Sequence, residues 1–293
     1  MSLRKVLVTG SDGFLGKALT KRLTKQGYSV KGLDLKQGTD VADWDQVKKL
    51  RGFQTIIHLA AKTFIPSSFN QPRVFYRSNF LSTVNILELS RINKAKVIFA
   101  SSYVYGYPNY VPIDENHPTA AHNPYSESKL LAEKLCRGYH RDFGLQMIIL
   151  RAFNLYGLGQ RKEFLIPHLL ESMKKGKILL GEPEYKRDYV YLDDAVEAYL
   201  KAVEYEPEGL EIFNIGYGKS HSVRELVDLV KNCWGENVPV QYDENKRKGE
   251  IPDAVADIRK AKRILGWQPR IDIETGIRKL IQSMVPSRGI KYF

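Results

Sequence analysis

One segment near the N-terminus is the most informative part of the chain, and it reads Val6-Leu7-Val8-Thr9-Gly10-Ser11-Asp12-Gly13-Phe14-Leu15-Gly16. Residues 6–9 form a short apolar, largely β-branched run, which predicts a buried strand. Three glycines follow at intervals of three, and residues 14–26 have the apolar period of a helix. A strand, a glycine-rich turn and a helix in this order are typical of the first unit of a parallel α/β sheet.

The three glycines predict a binding site for a pyrophosphate. Gly10 permits a tight turn at positive φ. Gly13 lets the backbone approach an anion at the start of the helix, where free N–H groups and the helix dipole favour negative charge. Gly16 allows the helix to pack closely on the strand. The loop residues expected to bind a dinucleotide are Gly10, Asp12, Gly13, Phe14, Leu15 and Gly16.

A second predicted strand, residues 29–34, ends in Asp34, which lies 18 positions after Gly16. A carboxylate there can accept hydrogen bonds from an adenosine ribose and would repel a 2′-phosphate, which favours NAD over NADP. The nearby Lys36 leaves NADP open. Asp40 and Val41 are candidates to hold the adenine, although a plain turn explains them nearly as well. Small side chains at the end of the third strand would let a cofactor cross its tip, namely Leu59, Ala60 and Ala61.

Strands and helices alternate through the first half of the chain. Further strands are predicted at residues 55–59, 96–101 and 146–150, and helices at residues 43–50, 74–93 and 126–143. This pattern predicts a Rossmann-type, doubly wound parallel sheet with right-handed crossovers. Turn signals multiply after about residue 155. We therefore expect a dinucleotide-binding domain at residues 1–155, with contributions from later segments, and a smaller α/β substrate-binding region mainly at 156–293.

Ser101 and the segment Tyr125-Ser126-Glu127-Ser128-Lys129 predict an acid/base site. Tyr125 and Lys129 are four residues apart on a predicted helix, so they lie on the same face. A lysine cation near a phenol favours the phenolate and lowers the tyrosine pKa towards the working pH. Ser101 ends a predicted buried strand, where its hydroxyl can bond the same substrate oxygen as the phenol. Together these residues predict proton transfer on a carbinol or a carbonyl.

Composition narrows the class of protein. Hydrophobic residues make up 43% of the chain and charged residues 27%, as in globular proteins. No apolar run reaches the length of a membrane span and no secretory segment is recognised, so a cytoplasmic location is expected. The net charge is +12, but Lys and Arg alternate with Asp and Glu and no nucleic-acid motif accompanies them, which favours a phosphorylated substrate over nucleic acid. The spacing of Cys136 and Cys233 suits neither a disulfide framework nor zinc, and no metal site is predicted.

Further motifs follow the glycine loop in a recognisable order. They are His58-Leu59-Ala60-Ala61-Lys62, Ser101-Ser102-Tyr103-Val104-Tyr105-Gly106, Arg151-Ala152-Phe153-Asn154-Leu155-Tyr156-Gly157, Arg187-Asp188-Tyr189-Val190-Tyr191-Leu192-Asp193-Asp194, Phe213-Asn214-Ile215-Gly216 and Leu265-Gly266-Trp267-Gln268-Pro269. With Tyr125 to Lys129, this series resembles the extended short-chain dehydrogenase/reductase superfamily, in its branch of NAD-dependent nucleotide-sugar epimerases and dehydratases. The resemblance extends nearly from end to end.

The resemblance implies roles for residues of the predicted acid/base site. Tyr125 is implied to be the acid/base, and Lys129 to bind the nicotinamide ribose and depress the phenol pKa. Ser101, three residues before Val104, is implied to orient the substrate oxygen, with Ser102 as a less favoured substitute.

Other matching positions imply contacts with the ligands. Asn79 is implied to lie near the cofactor, while Asn154 and Lys62 are expected on the substrate side. Arg187 and Arg247 match arginines that grip the substrate diphosphate, a role that suits the planar guanidinium fork.

One departure from the family pattern narrows the reaction. The 4,6-dehydratases of the family carry an Asp-Glu pair directly after the catalytic Thr, where this chain has Ser102 and Tyr103. This departure disfavours a 4,6-dehydratase. The resemblance, with Asp34 favouring NAD, implies an NAD-dependent nucleotide-sugar epimerase that transiently oxidises the sugar, at C4. The alternatives are an NAD(P)H-dependent reductase of a nucleotide-4-keto-6-deoxy sugar and, less favoured, a dinucleotide-sensing binding protein. The resemblance also implies a homodimer formed through helices 74–93 and 126–143.

Overall fold

A computed structural model describes residues 4–243 and 251–284. Its first half alternates strands and helices, as the sequence predicts. These elements are β1 (Lys5–Thr9), α1 (Phe14–Lys25), β2 (Ser29–Leu33), α2 (Trp44–Val47), β3 (Thr55–His58), α3 (Ile65–Asn70), α4 (Pro72–Phe75), α5 (Ser82–Asn93), β4 (Lys96–Ser102), α6 (Pro124–Phe143) and β5 (Met147–Ala152). The second half contains β6 (Asn154–Tyr156), α7 (Leu165–Lys174), β7 (Ile178–Leu180), β8 (Lys186–Tyr191), α8 (Leu192–Glu204), β9 (Leu210–Ile215), β10 (Ser220–Ser222), α9 (Val223–Trp234), β11 (Val240–Tyr242), β12 (Asp253–Ala254), α10 (Arg259–Leu265) and α11 (Ile273–Met284).

The central sheet is parallel and has six strands in the order β2-β1-β3-β4-β5-β9. This architecture confirms the predicted Rossmann-type fold. The chain leaves β1 first towards one edge and then towards the other, so the crevice beside β1 is a topological switch point, where ligands bind in such sheets. Thr9 is level with Leu33 on β2 and with His58 on β3. The loops after these three strands therefore open at one edge.

Helices cover both faces of the sheet. Val6 and Val8 point into a core shared with α1 and α8, whereas Leu7 points into a core shared with α2 and α5. Phe99 on β4 packs with α5 and α6 on that second face. Burial on both faces explains why the inner strands β1, β3, β4 and β5 contain continuous apolar runs rather than alternating ones.

The second half builds a smaller α/β region at the carboxyl edge of the sheet. β8 pairs with β6, β10 and β12, and β7 pairs with β11. The helices α7, α9 and α11 share a core with these strands. Two later elements, α8 and β9, belong to the layers of the central sheet instead. The predicted division near residue 155 stays a prediction. Within the described residues, no helix combines the length and the apolarity needed to cross a membrane.

The helices around the predicted acid/base site differ in detail from the predicted ones. The predicted helix 74–93 begins earlier, at α4, and contains a π-helical turn at Tyr76–Leu81 before α5. The predicted helix 126–143 begins at Pro124, because Asn123 caps it and Ser126 completes the capping box. Tyr125 therefore lies in the first turn of α6. The sequence also left α3 and α11 unpredicted.

Candidate active site

The glycine loop leaves the start of α1 open to an anion. Gly10 has φ +70°, and a Cβ there would lie 2.8 Å from the backbone nitrogen of Ala60. A Cβ on Gly16 would lie 2.0 Å from the carbonyl oxygen of Gly10. Gly13 is the N-cap of α1, and no side chain of the described residues caps it. The first N–H groups of α1 are therefore available to a pyrophosphate.

Asp34 joins the end of β2 to the glycine loop. Its carboxylate accepts hydrogen bonds from the backbone N–H groups of Asp12 and Lys36, both at 2.9 Å. The ammonium of Lys36 donates to the carbonyl oxygen of Asp12 at 3.2 Å. Asp40 pairs with Arg77 at 2.6 Å. Asp34, Asp40 and Val41 all line the same cavity, as an adenosine site requires.

Tyr125 and Lys129 lie together on the buried face of α6. The ammonium of Lys129 donates to the carbonyl oxygen of Ala100 at 2.7 Å and lies 4.9 Å from the centroid of the Phe99 ring. Burial lowers the pKa of Lys129 to about 8, while Cys136 and Glu133 act in the opposite direction. Burial raises the pKa of the Tyr125 phenol, and the Ser102 side chain partly offsets that rise. The phenol pKa is therefore raised in the protein alone, and the lowering expected from Lys129 does not contribute to this shift.

The two serines at the end of β4 have different partners. The hydroxyl of Ser101 donates to Oε1 of Glu133 at 2.5 Å, and Ser101 is buried. Ser102 is partly exposed, and its side chain lowers the pKa of the Tyr125 phenol. Both serines line the cavity. The role predicted for Ser101 stays a prediction, and Ser102 is the serine whose hydroxyl acts on the phenol.

His58 lies below this site, at the end of β3. Its ring hydrogen-bonds Thr9 at 2.7 Å and Thr83 at 3.2 Å through their hydroxyls. Burial, with a smaller effect of the Lys129 charge, lowers the pKa of His58 to about 3. The ring is therefore neutral at physiological pH and joins β1, β3 and α5.

Asn79 lies behind the wall of the cavity, within the π-helical turn. Its side-chain oxygen accepts from the backbone N–H of Lys62 at 2.8 Å, and its amide donates to the carbonyl oxygen of Lys62 at 3.0 Å and to Ser128 at 2.9 Å. The residue is 1% exposed. Asn79 thus connects the loop after β3 to α6, and its direct contact with a cofactor stays a prediction.

Two of the predicted substrate residues, Asn154 and Arg187, line the same cavity. Asn154 donates from its amide to the carbonyl oxygen of Asp188 at 3.0 Å, and Arg187 donates to the carbonyl oxygen of Ile251 at 2.6 Å. The carboxylate of Asp188 accepts three backbone N–H bonds, which hold the surrounding loops; their donors are Tyr217, Gly218 and Ala256. Arg247 lies outside the described residues.

A single cavity of about 1880 Å³ connects these groups. Most drug-sized ligands need about 300–1,000 Å³, so this cavity has room for two ligands. All the predicted site residues line it except Asn79 and the undescribed Arg247. The sequence did not predict one contact among the lining residues, in which the guanidinium of Arg161 lies 5.8 Å from the ring of Phe64 and 5.5 Å from that of Phe164.

Comparison with known proteins agrees with this geometry. The family described as "NAD dependent epimerase/dehydratase family" matches residues 6–216. The chain belongs to this family. The epimerase/dehydratase family is the one that the sequence motifs resemble, so the resemblance is confirmed. The match ends just after β9, and it includes the glycine loop and the residues around Tyr125.

Individual members of the epimerase/dehydratase family are similar over nearly the whole chain. A provisionally named UDP-glucose 4-epimerase of Methanocaldococcus jannaschii is 36% identical over 95% of this chain and 98% of its own length. The crystal structure of UDP-glucose 4-epimerase from Thermotoga maritima with UDP-glucose has a TM-score of 0.88 and 29% identity, and covers 95% of this chain and 97% of that one. The UDP-glucose 4-epimerase of Thermus thermophilus in complex with NAD has a TM-score of 0.87 and 27% identity, with 96% and 100% covered.

NAD is the cofactor of this family, and the residues of the chain fit it. The open start of α1 would offer N–H groups to the pyrophosphate, and Asp34 would offer a carboxylate to the adenosine ribose. Leu59, Ala60 and Ala61 line the same cavity. The family confirms the prediction of NAD, and Lys36 keeps NADP open as the alternative cofactor.

Proposed function

We propose that this protein is a UDP-sugar 4-epimerase that oxidises C4 of the sugar transiently and reduces it again with the opposite configuration. The observation that carries the proposal is the position of Tyr125 and Lys129 in the same cavity as the glycine loop and Arg187. One acid/base pair can therefore serve a bound cofactor and a bound nucleotide sugar together. The similarity to named UDP-glucose 4-epimerases supports UDP as the nucleotide.

Tyr125 performs the proton transfer in this reaction. Its phenolate takes the proton of the C4 hydroxyl and returns it after the configuration has changed. NAD, when bound, would supply a hydride acceptor, the returning hydride and a positive charge. Because burial raises the pKa of Tyr125, the phenol needs nearby positive charge to act as a base near neutral pH. Lys129 supplies such a charge, and its bond to Ala100 holds it beside the end of β4.

Epimerisation requires that the sugar turn while the nucleotide stays bound. We infer that Arg187, with Arg247 as the resemblance implies, holds the diphosphate, and that Asn154 contacts the sugar nucleotide. Arg187 is anchored through its bond to Ile251, so its guanidinium is pre-oriented. Lys62 also lines the cavity. A firm grip on the diphosphate with a looser one on the sugar permits the rotation.

A reductase of a nucleotide-4-keto-6-deoxy sugar is the second candidate. It would use the same residues in one direction and NAD(P)H as the hydride donor. The observation that favours it is the ammonium of Lys36 beside Asp12, where a 2′-phosphate would find a cation. Asp34 opposes this reading, because its carboxylate would repel that phosphate.

Isotope labelling distinguishes these reactions. A UDP-hexose deuterated at C4 is incubated with the protein and NAD, and the product is followed by NMR. We expect the C4 epimer with deuterium retained at C4 and no net accumulation of NADH. Consumption of NADPH with a 4-keto sugar, but no epimer, would establish the reductase. Tight NAD binding without turnover of UDP-, GDP- or dTDP-sugars would support a sensing protein instead.

We further propose that the protein forms a homodimer, and that residue 155 divides the dinucleotide-binding domain from the mainly substrate-binding region. The helical segments implied in dimer formation carry exposed apolar side chains at Val74, Leu81 and Phe143, which are 40%, 41% and 54% exposed. Covering such side chains with another surface removes apolar area from water, which is favourable. Light scattering on wild type and on a Leu81→Glu, Phe143→Glu double variant tests this arrangement, and a monomeric wild type would contradict it.

A further inference from the structure

An ion pair is buried directly behind the predicted acid/base site. Arg151 on β5 binds Glu133 on α6, with Nη2 2.6 Å from Oε2 and Nε 3.0 Å from Oε1. The two side chains are 2% and 1% exposed. Removing two charges from water is costly, and an apolar pair of similar volume often serves stability equally well. A role at the adjacent site accounts better for the presence of this pair.

The helical period places Glu133 in line with the site. Tyr125, Lys129 and Glu133 follow one another at intervals of four residues on α6, so they share one face. Ser101 and Arg151 are opposite each other in the β4–β5 ladder. Ser101 donates to the same Oε1 atom that receives the Arg151 bond. β4 and β5 thus each bring a polar group to the one carboxylate on α6.

Glu133 also acts on Lys129. Burial lowers the pKa of Lys129 to about 8, and Cys136 and Glu133 raise it. Two neighbouring groups carry no charge at neutral pH, because burial lowers the pKa of His58 to about 3 and raises that of the Cys136 thiol. Tyr125 is a protonated phenol until it acts. The carboxylate of Glu133, with Arg151 behind it, therefore supplies the negative charge that opposes the effect of burial on Lys129.

We propose that Glu133, clamped by Arg151, is a positioning residue of the Tyr125 site: its carboxylate keeps Lys129 cationic and orients the hydroxyl of Ser101. This inference depends on the proposed function only where it predicts that Glu133 affects turnover. The hydrogen bond that Ser101 donates to Glu133 fixes the direction of its hydroxyl at the end of β4. Ser102, the next residue of the strand, lies beside the phenol and lowers its pKa. The two serines therefore face different groups, Ser101 the carboxylate of Glu133 and Ser102 the phenol of Tyr125.

The test measures Lys129 directly. Protein with lysine labelled with ¹³C at the ε position is titrated by NMR, and the Lys129 signal is assigned by its absence in Lys129→Arg. We expect a midpoint near pH 8 in wild type. In Glu133→Gln the midpoint falls by about one pH unit, since a nearby opposite charge is lost. The control is Glu127→Gln, which removes a carboxylate from a different face of the same helix. The Lys129 midpoint in this control equals that of wild type.

A second variant keeps the test usable if Glu133→Gln does not fold. Glu133→Gln leaves Arg151 buried without its partner, so the double variant Glu133→Met, Arg151→Met removes both charges together. It also lowers the Lys129 midpoint under the proposal. A midpoint equal to that of wild type in either folded variant overturns it.

A kinetic measurement completes the design. The alkaline decline of kcat moves to lower pH in Glu133→Gln by the same shift as the NMR midpoint. An unshifted decline would show that Glu133 does not act through Lys129. If wild type converts no sugar nucleotide, the proposed function fails, while the NMR midpoint still decides the role of Glu133.

Discussion

The ammonium of Lys129 donates a hydrogen bond to the carbonyl oxygen of Ala100 at 2.7 Å. This bond ties the first turns of α6 to the end of β4, and it places Tyr125 above the serines at the strand terminus. Because β4 and β1 belong to the same sheet, this bond fixes the position of the acid/base group relative to the glycine loop after β1. The following predictions test the consequences of that arrangement.

Tyr125→Phe removes the proposed acid/base oxygen and little else. We expect kcat for epimerisation to fall by about 10²–10⁴-fold, because the loss is that of general acid/base catalysis. NAD affinity, measured by fluorescence titration, should stay close to wild type. The matched control is Tyr139→Phe at the other end of α6, which should keep its activity. Near-normal turnover in Tyr125→Phe would remove this residue from the mechanism.

The variants Ser102→Ala and Ser101→Ala should differ in how kcat depends on pH. The Ser102 side chain lowers the pKa of Tyr125, so the loss of its hydroxyl raises that pKa further. The phenolate then forms only at higher pH, and the acidic limb of the kcat profile moves to higher pH. Ser101→Ala should reduce kcat because the substrate oxygen loses its partner, with a smaller shift of the limb. The assignment of Ser102 fails if its variant keeps the wild-type limb.

Gly16→Ala should damage both the cofactor site and stability. A Cβ at Gly16 would lie 2.0 Å from the carbonyl oxygen of Gly10, which is backbone and cannot rotate away. We expect a loss of about 1–3 kcal/mol in the free energy of unfolding and weaker NAD binding. Gly138→Ala in α6 is the control: a Cβ there meets no heavy atom of the described residues within 4 Å. This helical substitution should stabilise by about 0.5–1 kcal/mol. Equal NAD affinity in both variants would contradict the role of the glycine loop.

His58 should make the protein sensitive to acid. The unfolded chain binds a proton at His58 below about pH 6.5, whereas the folded protein binds it only near pH 3. The unfolded state therefore holds more protons between these values, and the stability from neutral His58 is lost as the pH falls through this window. Each pH unit within it costs about 1.4 kcal/mol.

Urea unfolding at pH 7, 6, 5 and 4 measures this dependence. In His58→Gln the free energy of unfolding should be lower at pH 7, because hydrogen bonds to Thr9 and Thr83 are weakened, but should fall less steeply towards pH 4. His168→Gln, at an exposed position, should keep the wild-type slope. Parallel curves for His58→Gln and wild type would refute the buried neutral imidazole.

Local features of the sequence were sufficient for the Rossmann-type sheet and for the cofactor loop. Glycines at 10, 13 and 16 between a β-branched run and a helical period permit few other structures, because their spacing reflects turn geometry and close backbone approach. The side-by-side placement of Tyr125 and Lys129 was equally predictable, since residues four positions apart lie on the same face of a helix.

The partners of those residues required the folded chain. Ser101, Glu133 and Arg151 are up to 50 positions apart, and they meet only because β4, β5 and α6 pack together. Asn79 lies in a π-helical turn and bonds Lys62 and Ser128, partners that the sequence did not indicate, while its predicted place near the cofactor stays a prediction. The periodicity of one sequence reports which face of an element is apolar. It carries no information about which distant polar group completes a buried hydrogen bond, because that depends on packing between elements.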